Sequence, residues 1–397
     1  MSGFTVEEKQ NIYGAKIKVV GVGGGGGNMI NHIIREGIHN EDGMKSVDLI
    51  IANTDAQALD SSAAPNKIQL GEKKTRGLGA GMQPTVGKEA AMESYEDIKT
   101  TLENSDIVFI ASGFGGGTGT GAAPIVAQAA KEIGALTIAV VTTPFKFEGS
   151  KRMRLAVEGI NELKKECDSV VVVPNEKLSN IVDRKAGIKD SFKIVDSILA
   201  RAVNGMSSIV LSHGESDINL DFADVKTAMS HRGLSLMGVG EAQGDGAAQE
   251  ALKCAMQSPL LDDMDIKGAM GAIVHFTIHP DCPMSDMTEA MEIIEAAADP
   301  DADIFWGKKC DKNMPVDKVL VTLVATGFSD SNIAKLQPAT ANANANATTI
   351  VAAKESAPVK AEEPKESIFS YRRVSGLDLN ISSDDLDIPT ISRHQLD

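Results

Sequence analysis

The string Gly113-Phe114-Gly115-Gly116-Gly117-Thr118-Gly119-Thr120-Gly121 has the composition of an anion cradle. It follows the apolar run Ile107-Val108-Phe109-Ile110 and precedes Ala122-Ala123-Pro124-Ile125-Val126, so the order reads strand, glycine loop, helix. With few side chains in the way, successive backbone N–H groups can turn toward one phosphate, and the helix N-terminus behind them adds a favourable dipole. Thr118 and Thr120 offer two hydroxyl donors. Taken alone, such a run can also be a flexible turn. No Lys-Ser or Lys-Thr follows the glycines, which excludes the pattern G-x-x-x-x-G-K-[ST] and leaves backbone and hydroxyls to hold the phosphates. A second glycine run, Gly21-Val22-Gly23-Gly24-Gly25-Gly26-Gly27-Asn28, follows the short strand Ile17-Lys18-Val19-Val20. A third string, Asn219-Leu220-Asp221-Phe222-Ala223-Asp224-Val225, places two carboxylates three residues apart. Asn219 or Asp221 can cap a helix whose apolar face is Phe222, Val225 and Met229. Asp221 and Asp224 then project together, away from that face, and paired carboxylates can orient a water for attack on a phosphate. By itself this string is better explained as an N-cap followed by a solvated Asp.

These groups need strands and helices to hold them. Apolar runs at Val47–Ala52, Asp106–Ala111, Leu136–Val141 and Ser169–Val173 alternate with helical stretches, including one from Met29 to Glu36. That alternation predicts a parallel sheet covered on both faces, with the ligand at the carboxyl ends of the strands. From Gly187 the period changes: Ile188, Phe192, Val195, Leu199, Ala202, Met206 and Ile209 recur at spacings of three and four, a long amphipathic helix ended by His213-Gly214. A second α/β unit follows, with strands at Ala272–Ile278 and Lys318–Ala325 and a helix from Asp286 to Ala298. His279-Pro280 reads as a turn after the first of these strands. Beyond about Asp330 large apolar residues nearly vanish, and residues 338–367 cannot bury enough surface to offset their conformational entropy. The last residues, Asp384-Asp385-Leu386-Asp387-Ile388-Pro389-Thr390-Ile391-Ser392-Arg393, regain apolar anchors at the spacing of a short partner-binding motif.

Composition narrows the function classes. A 397-residue chain accommodates two or three domains, and its net charge of −16 argues against binding nucleic acid or an anionic membrane directly. Residues 1–15 lack the basic and apolar parts of a signal peptide, and no apolar run reaches the length of a membrane span, so the expected location is the cytoplasm, without direct membrane insertion. Cys167, Cys254, Cys282 and Cys310 are far apart in sequence, and neither they nor the histidines show metal-ligand spacing.

Gly-Gly-Gly-Thr-Gly-Thr-Gly resembles the phosphate loop of the tubulin and FtsZ superfamily, GTPases that polymerise head to tail. The resemblance covers nearly everything from Ile17 to Phe328 and resumes in the last dozen residues. Gly23, Gly24, Gly25, Gly26 and Asn28 correspond to the family's first phosphate loop, and Asn53-Thr54-Asp55 follows the second strand as the family expects. Arg76 to Gly81, with Ala80, Gly81 and Met82, resembles the loop that closes over the γ-phosphate and its magnesium. Pro144, Glu148 and Arg152 lie in a segment resembling the one that contacts ribose and nucleotide. Asn175 after Val173-Pro174, and the Phe192 to Asp196 spacing, match the base-binding elements. Asn219, Asp221 and Asp224 resemble the catalytic loop, which in the family acts on the nucleotide of the neighbouring subunit.

The resemblance implies an α/β, tubulin/FtsZ-like fold: a GTP-binding parallel-sheet domain over 16–186, a central helix over 187–213 and a smaller α/β domain over 214–329. An N-terminal extension (1–15), a disordered linker (330–383) and a terminal peptide (384–397) complete the division. It also implies binding of GTP and GDP, Mg2+ held mainly through phosphates and water, and assembly into a division ring at mid-cell. Membrane-adaptor and regulatory division proteins would bind residues 384–397. Guanine preference has a physical reading, since a carboxylate such as Asp196 can accept N1–H and N2–H together while the Asn175 amide satisfies the remaining groups. Phe192, one turn before Asp196, can stack on the purine. Met82-Gln83 departs from the usual Ala-Asn, and Trp306 and His279-Pro280 are unusual for the second domain.

Two other readings start from the same residues. Gly21, Gly23 and Gly26 satisfy G-x-G-x-x-G, and Asp55 stands where a nicotinamide-dependent oxidoreductase binds ribose. The loop at 113–121 and the acidic pair have no use in that reading. A tubulin-like filament for plasmid segregation keeps the fold but leaves the terminal peptide without a task.

Overall fold

A computed structural model describes residues 15–35, 47–178, 188–211, 222–231, 234–258, 261 and 269–328. Asn219, Asp221, the linker and the terminal peptide lie outside the described residues, as does the end of the long helix at His213-Gly214.

The chain opens with β1 (Ile17–Val22), α1 (Gly23–Arg35), β2 (Val47–Asn53), α2 (Ala56–Asp60) and β3 (Asn66–Gln69). Then come α3 (Glu72–Thr75), α4 (Pro84–Glu93), α5 (Tyr95–Leu102), β4 (Ile107–Gly113), α6 (Thr118–Glu132) and β5 (Leu136–Thr143). They are followed by α7 (Ser150–Leu163), β6 (Ser169–Pro174), α8 (Asn175–Leu178) and α9 (Ile188–Leu211). The remainder is α10 (Phe222–Met229), β7 (Leu234–Gln243), α11 (Ala247–Met256), β8 (Gly271–Ile278), α12 (Met284–Ala297), β9 (Asp303–Cys310) and β10 (Lys318–Phe328).

Among the described residues ten strands join one sheet in the order β3-β2-β1-β4-β5-β6-β7-β10-β8-β9. From β3 to β7 every neighbouring pair is parallel. β10 runs antiparallel to both its neighbours, and β8 and β9 are parallel. The two α/β regions expected from the sequence are therefore joined by strand pairing as well as by α9. Among the described residues that junction is made by the pairs Val170↔Leu234 and Val171↔Ser235 between β6 and β7.

Both faces of the parallel strands are buried, which is why they read as continuous apolar runs. Val20, Val22, Val108, Ile110, Ala139 and Val141 pack on one face beneath α4, α6 and α7. Val19, Phe109, Ala111, Ile138 and Val140 pack on the other with Met29, Ile30 and Ile33 of α1. Val195, Leu199, Val203 and Met206, along one stripe of α9, cover this second face. The 24 residues of α9, at about 1.5 Å each, span about 36 Å. Their cluster also takes in Met237 of β7, Ile273 of β8 and Val324 of β10, so one helix seals strands from both halves of the sheet.

Candidate nucleotide site

The chain lays β2 and β3 on one side of β1 and then crosses to place β4 on its other side. A parallel sheet opens a crevice at such a reversal, beyond the carboxyl ends of the strands. Both glycine runs occur there, after β1 and after β4. They touch through their backbones: a Cβ on Gly23 would lie 2.8 Å from the Gly119 nitrogen, and one on Gly25 would lie 2.9 Å from the Gly113 nitrogen. Helix α1 begins at Gly23, ahead of the expected Met29, so most of this glycine run forms its first turns, and Gly26 passes close to the sheet. A Cβ at Gly26 would stand 2.2 Å from the Ala111 carbonyl oxygen.

The glycines serve two purposes. Gly26, Gly119 and Gly121 are packing glycines, the last with room for a Cβ only 2.0 Å from the Pro84 carbonyl oxygen. At Gly117 a Cβ would lie 2.8 Å from that of Ala80, which brings the Arg76–Met82 loop against the main glycine loop. A Cβ at Gly24, Gly79, Gly81 or Gly116 would meet nothing within 4 Å. These four face the open side, where a phosphate can approach the backbone. Gly117 precedes the 15-residue α6 and provides no side-chain cap, so first-turn N–H groups of that helix remain available to an anion.

The two threonines of the loop divide the work. Thr120 is buried, and its hydroxyl accepts the Gly115 N–H at 2.9 Å, bracing the turn at a residue with φ of 95°. Thr118 is partly exposed, and its hydroxyl lies 2.6 Å from that of Thr54. Ser112 fixes the neighbouring strand ends by donating to the Val22 carbonyl at 3.1 Å. In the adjoining loop Ala80 is buried and Gly81 exposed, while Met82 adopts a left-handed φ of 56°. The Gln83 N–H is engaged by the Ala80 carbonyl at 3.0 Å. Asn28 points to solvent on α1.

On the far side of the crevice, Pro144 and Phe145 are buried and lead into a single 3-10 turn, Lys146–Glu148. Glu148 accepts the Phe145 N–H at 3.0 Å through Oε1, and Arg152 Nη1 donates to its Oε2 at 2.6 Å. These two side chains, expected to contact ribose and nucleotide, thus hold each other one helical turn apart. Asp55 is also engaged: its Oδ1 caps α2 by accepting N–H groups of Gln57 at 2.9 Å and Ala58 at 3.3 Å. That cap gives Asp55 a structural task, and the oxidoreductase reading still has no use for the glycine loop at 113–121.

At the base end, Asn175 opens α8 directly after β6 and is 5 % exposed. Its Oδ1 is buried with no hydrogen-bond partner among the described residues, an acceptor that fits a donor brought by a ligand. Helix α8 packs against α9, which carries Asp196. Burial pushes the Asp196 carboxyl up to about 6, with the Arg35 guanidinium pulling the other way. Phe192 falls one turn before Asp196 in α9, as the spacing predicts. The influence of Arg35, at the end of α1, was not legible in the sequence because it depends on how α1 meets α9.

Asp224 lies elsewhere. Thr326 Oγ1 donates to the Ala228 carbonyl at 2.6 Å, and Thr326 pairs with Gly271, where β8 begins. Leu234, the first residue of β7, is level with Val170 near the start of β6. Helix α10 therefore sits at the edge where these strands begin, while the glycine loops follow the ends of β1 and β4. A six-residue strand such as β6, about 20 Å long, separates the two edges. No group of three or more His, Cys, Asp or Glu among the described residues could hold a metal ion.

Comparison with known proteins agrees with this geometry. The family described as "Tubulin/FtsZ family, GTPase domain" matches residues 16–183, and "FtsZ family, C-terminal domain" matches 233–329. The Cell division protein FtsZ of Helicobacter pylori strain J99 is 46% identical over 325 residues, 82% of this chain and 83% of that protein. The chain belongs to the FtsZ family. Its matched domain makes it a GTPase that binds guanine nucleotides. An FtsZ dimer from M. jannaschii superposes with a TM-score of 0.73 at 46% identity, covering 79% of this chain and 88% of that one. CetZ2 from Haloferax volcanii, at 18% identity, shares the fold with a TM-score of 0.68 over 81% of this chain and 96% of its own.

Two outcomes are expected of this FtsZ-family site. Gly116→Ala should change stability by no more than about 0.5 kcal/mol in urea unfolding, yet weaken GTP binding, because its methyl enters the space the phosphates need. Gly26→Ala should instead cost about 3 kcal/mol of stability through its clash with the Ala111 carbonyl. Similar stabilities for the two variants would refute the division into open and packing glycines.

The raised Asp196 carboxyl predicts pH-dependent guanine binding, since only the ionised form accepts both base donors. Lowering the pH from 7.5 to 5 should weaken GDP binding about tenfold, with proton release on binding near pH 6, and Asp196→Asn should abolish the dependence. Ligand-free stability runs the opposite way. The folded-state value exceeds the unfolded one, so this contribution is complete below about pH 3.9 and is lost as pH rises through 6. Calorimetry in buffers of different ionisation enthalpy separates the two effects.

Proposed function

We propose that the chain is a polymerising cell-division GTPase whose subunits assemble head to tail and complete one another's active sites. The observation that carries this reading is the placement of Asp224 at the sheet edge opposite the phosphate loops. A carboxylate there cannot reach a nucleotide bound to its own chain, whereas stacking subunits along the strand direction brings it over the next one's phosphates. The H. pylori relative is named for cell division, the M. jannaschii structure is a dimer, and CetZ2 forms a GTPγS-bound protofilament; all are in keeping with such stacking.

In this reading residues 16–186 hold GTP, α9 spans to the domain at 214–329, and Asn219, Asp221 and Asp224 position the attacking water. Phosphoryl transfer of this kind is chiefly positioning and charge stabilisation. Mg2+ supplies part of that charge stabilisation, held through phosphate oxygens and water. The filament gathers into a ring at mid-cell in the cytoplasm. Residues 384–397 bind membrane adaptors and regulatory division proteins. Their apolar anchors Leu386, Ile388, Pro389 and Ile391 each bind weakly, but many copies along a filament multiply the attachment.

Phosphate release per molecule should vanish at low protein concentration and rise above a threshold. Asp224→Ala should keep GTP binding and assembly by light scattering while slowing hydrolysis roughly a hundredfold. Turnover per molecule that stays constant on dilution would mean that each subunit has a complete site. Deleting residues 384–397 should leave threshold and turnover unchanged while abolishing recruitment to the division site in cells. A truncated protein that no longer polymerises when purified would place the tail in the assembly surface instead.

A further inference from the structure

Thr54 follows the last residue of β2 and is wholly buried between the two phosphate-facing loops. Its side chain and its backbone face different partners. The hydroxyl lies 2.6 Å from the Thr118 hydroxyl at the head of α6. The carbonyl accepts the Gly79 N–H at 3.2 Å and the Thr75 hydroxyl at 3.2 Å. Two residues on, the Ala56 N–H donates to the Gly77 carbonyl at 3.1 Å. The stretch Thr54–Ala56 thus holds the 75–79 segment in place from one side while touching the main glycine loop from the other.

Two hydroxyls in contact share one hydrogen, and either oxygen can be the donor. A phosphate oxygen accepts only, so a phosphate at the head of α6 draws the Thr118 proton toward itself. The Thr118 oxygen then has to accept from Thr54. Binding therefore fixes one direction for the pair, Thr54 to Thr118 to phosphate, and hydrogen bonds in such a chain strengthen one another. Because Thr54 is also the anchor of Gly79, ordering its side chain orders the attachment point of the Arg76–Met82 loop.

We propose that Thr54 is a positioning residue that couples the phosphate held at Thr118 to closure of the Arg76–Met82 loop, and so helps distinguish GTP from GDP. This rests on the reading of the crevice as a GTP site. Thr54 touches no substrate, and its effect passes through Thr118 and the Gly79 N–H.

The test uses the full chain, diluted below its assembly threshold, with Thr54→Val to remove the hydroxyl and Thr54→Ser to retain it. GTP and GDP affinities are measured by competition with a fluorescent nucleotide, and loop order by hydrogen exchange of the peptide containing Gly79. Thr54→Val should lose about tenfold in preference for GTP over GDP and lose the extra protection that GTP gives the loop. Thr54→Ser should restore both to within about twofold. Thr118→Val should reproduce the loss, and the double variant should add little to either single one. This second variant also keeps the test decisive should Thr54→Val fail to fold. Unchanged discrimination in Thr54→Val, or equal losses for both nucleotides without rescue by serine, would overturn the proposal. Fully additive effects of the two valine substitutions would do the same. Failure of the wild type to prefer GTP over ATP is a separate result and would sink the site reading itself.

Discussion

Everything at the nucleotide end depends on two main-chain segments lying closer together than any side chain permits. Gly23 against Gly119, and Gly26 against Ala111, leave no volume for a methyl group. That contact seats the start of α1 beside the start of α6, so the positive ends of two helices converge on one crevice. It also explains why glycine is tolerated in the first turns of α1, where propensity alone disfavours it. Packing offsets the conformational entropy, and the open glycines nearby then present bare backbone to the ligand.

A second constraint follows from strand direction. Parallel strands send every loop after a carboxyl end to one edge, and α9 returns the chain to the other. Helix α10, which carries Asp224, is the next element among the described residues after that return. Separation of phosphate site from acid is thus a consequence of topology rather than of any particular side chain.

Much of this was legible in the sequence, for reasons that differ from element to element. The strands β1, β4, β5 and β6 are buried on both faces, so their apolar runs give them away to within one or two residues at most ends. The phosphate loops were legible because their requirement is local: glycine where backbone must meet backbone or ligand. Strand β7 escaped notice because Gly238 and Gly240 resemble a turn, whereas each admits the backbone of α11, with a Cβ position about as close as 2 Å to the Ala255 and Ala251 carbonyls. Strand β9 is half-exposed at the sheet margin and shows no clean alternation. The hydrogen bonds of Thr120 to Gly115 and of Glu148 to Arg152 depend on turn geometry that composition does not encode. The influence of Arg35 on Asp196 and the Thr54–Thr118 hydroxyl contact join distant segments, which spacing along the chain cannot reveal.

The open margins of the ten-stranded sheet carry a further consequence. Among the described residues β3 and β9 each leave one row of main-chain groups without a neighbouring strand, the kind of surface on which unrelated chains zip together into aggregates. β3 spans only four residues, with Asn66 and Lys67 exposed, and β9 ends in Gly-Lys-Lys-Cys with Lys308 and Lys309 side by side. Brevity and positive charge make both margins poor templates. A subunit that gathers at high local density must make one ordered contact without inviting many disordered ones, and these few lysines guard the rims at which the wrong contact would begin.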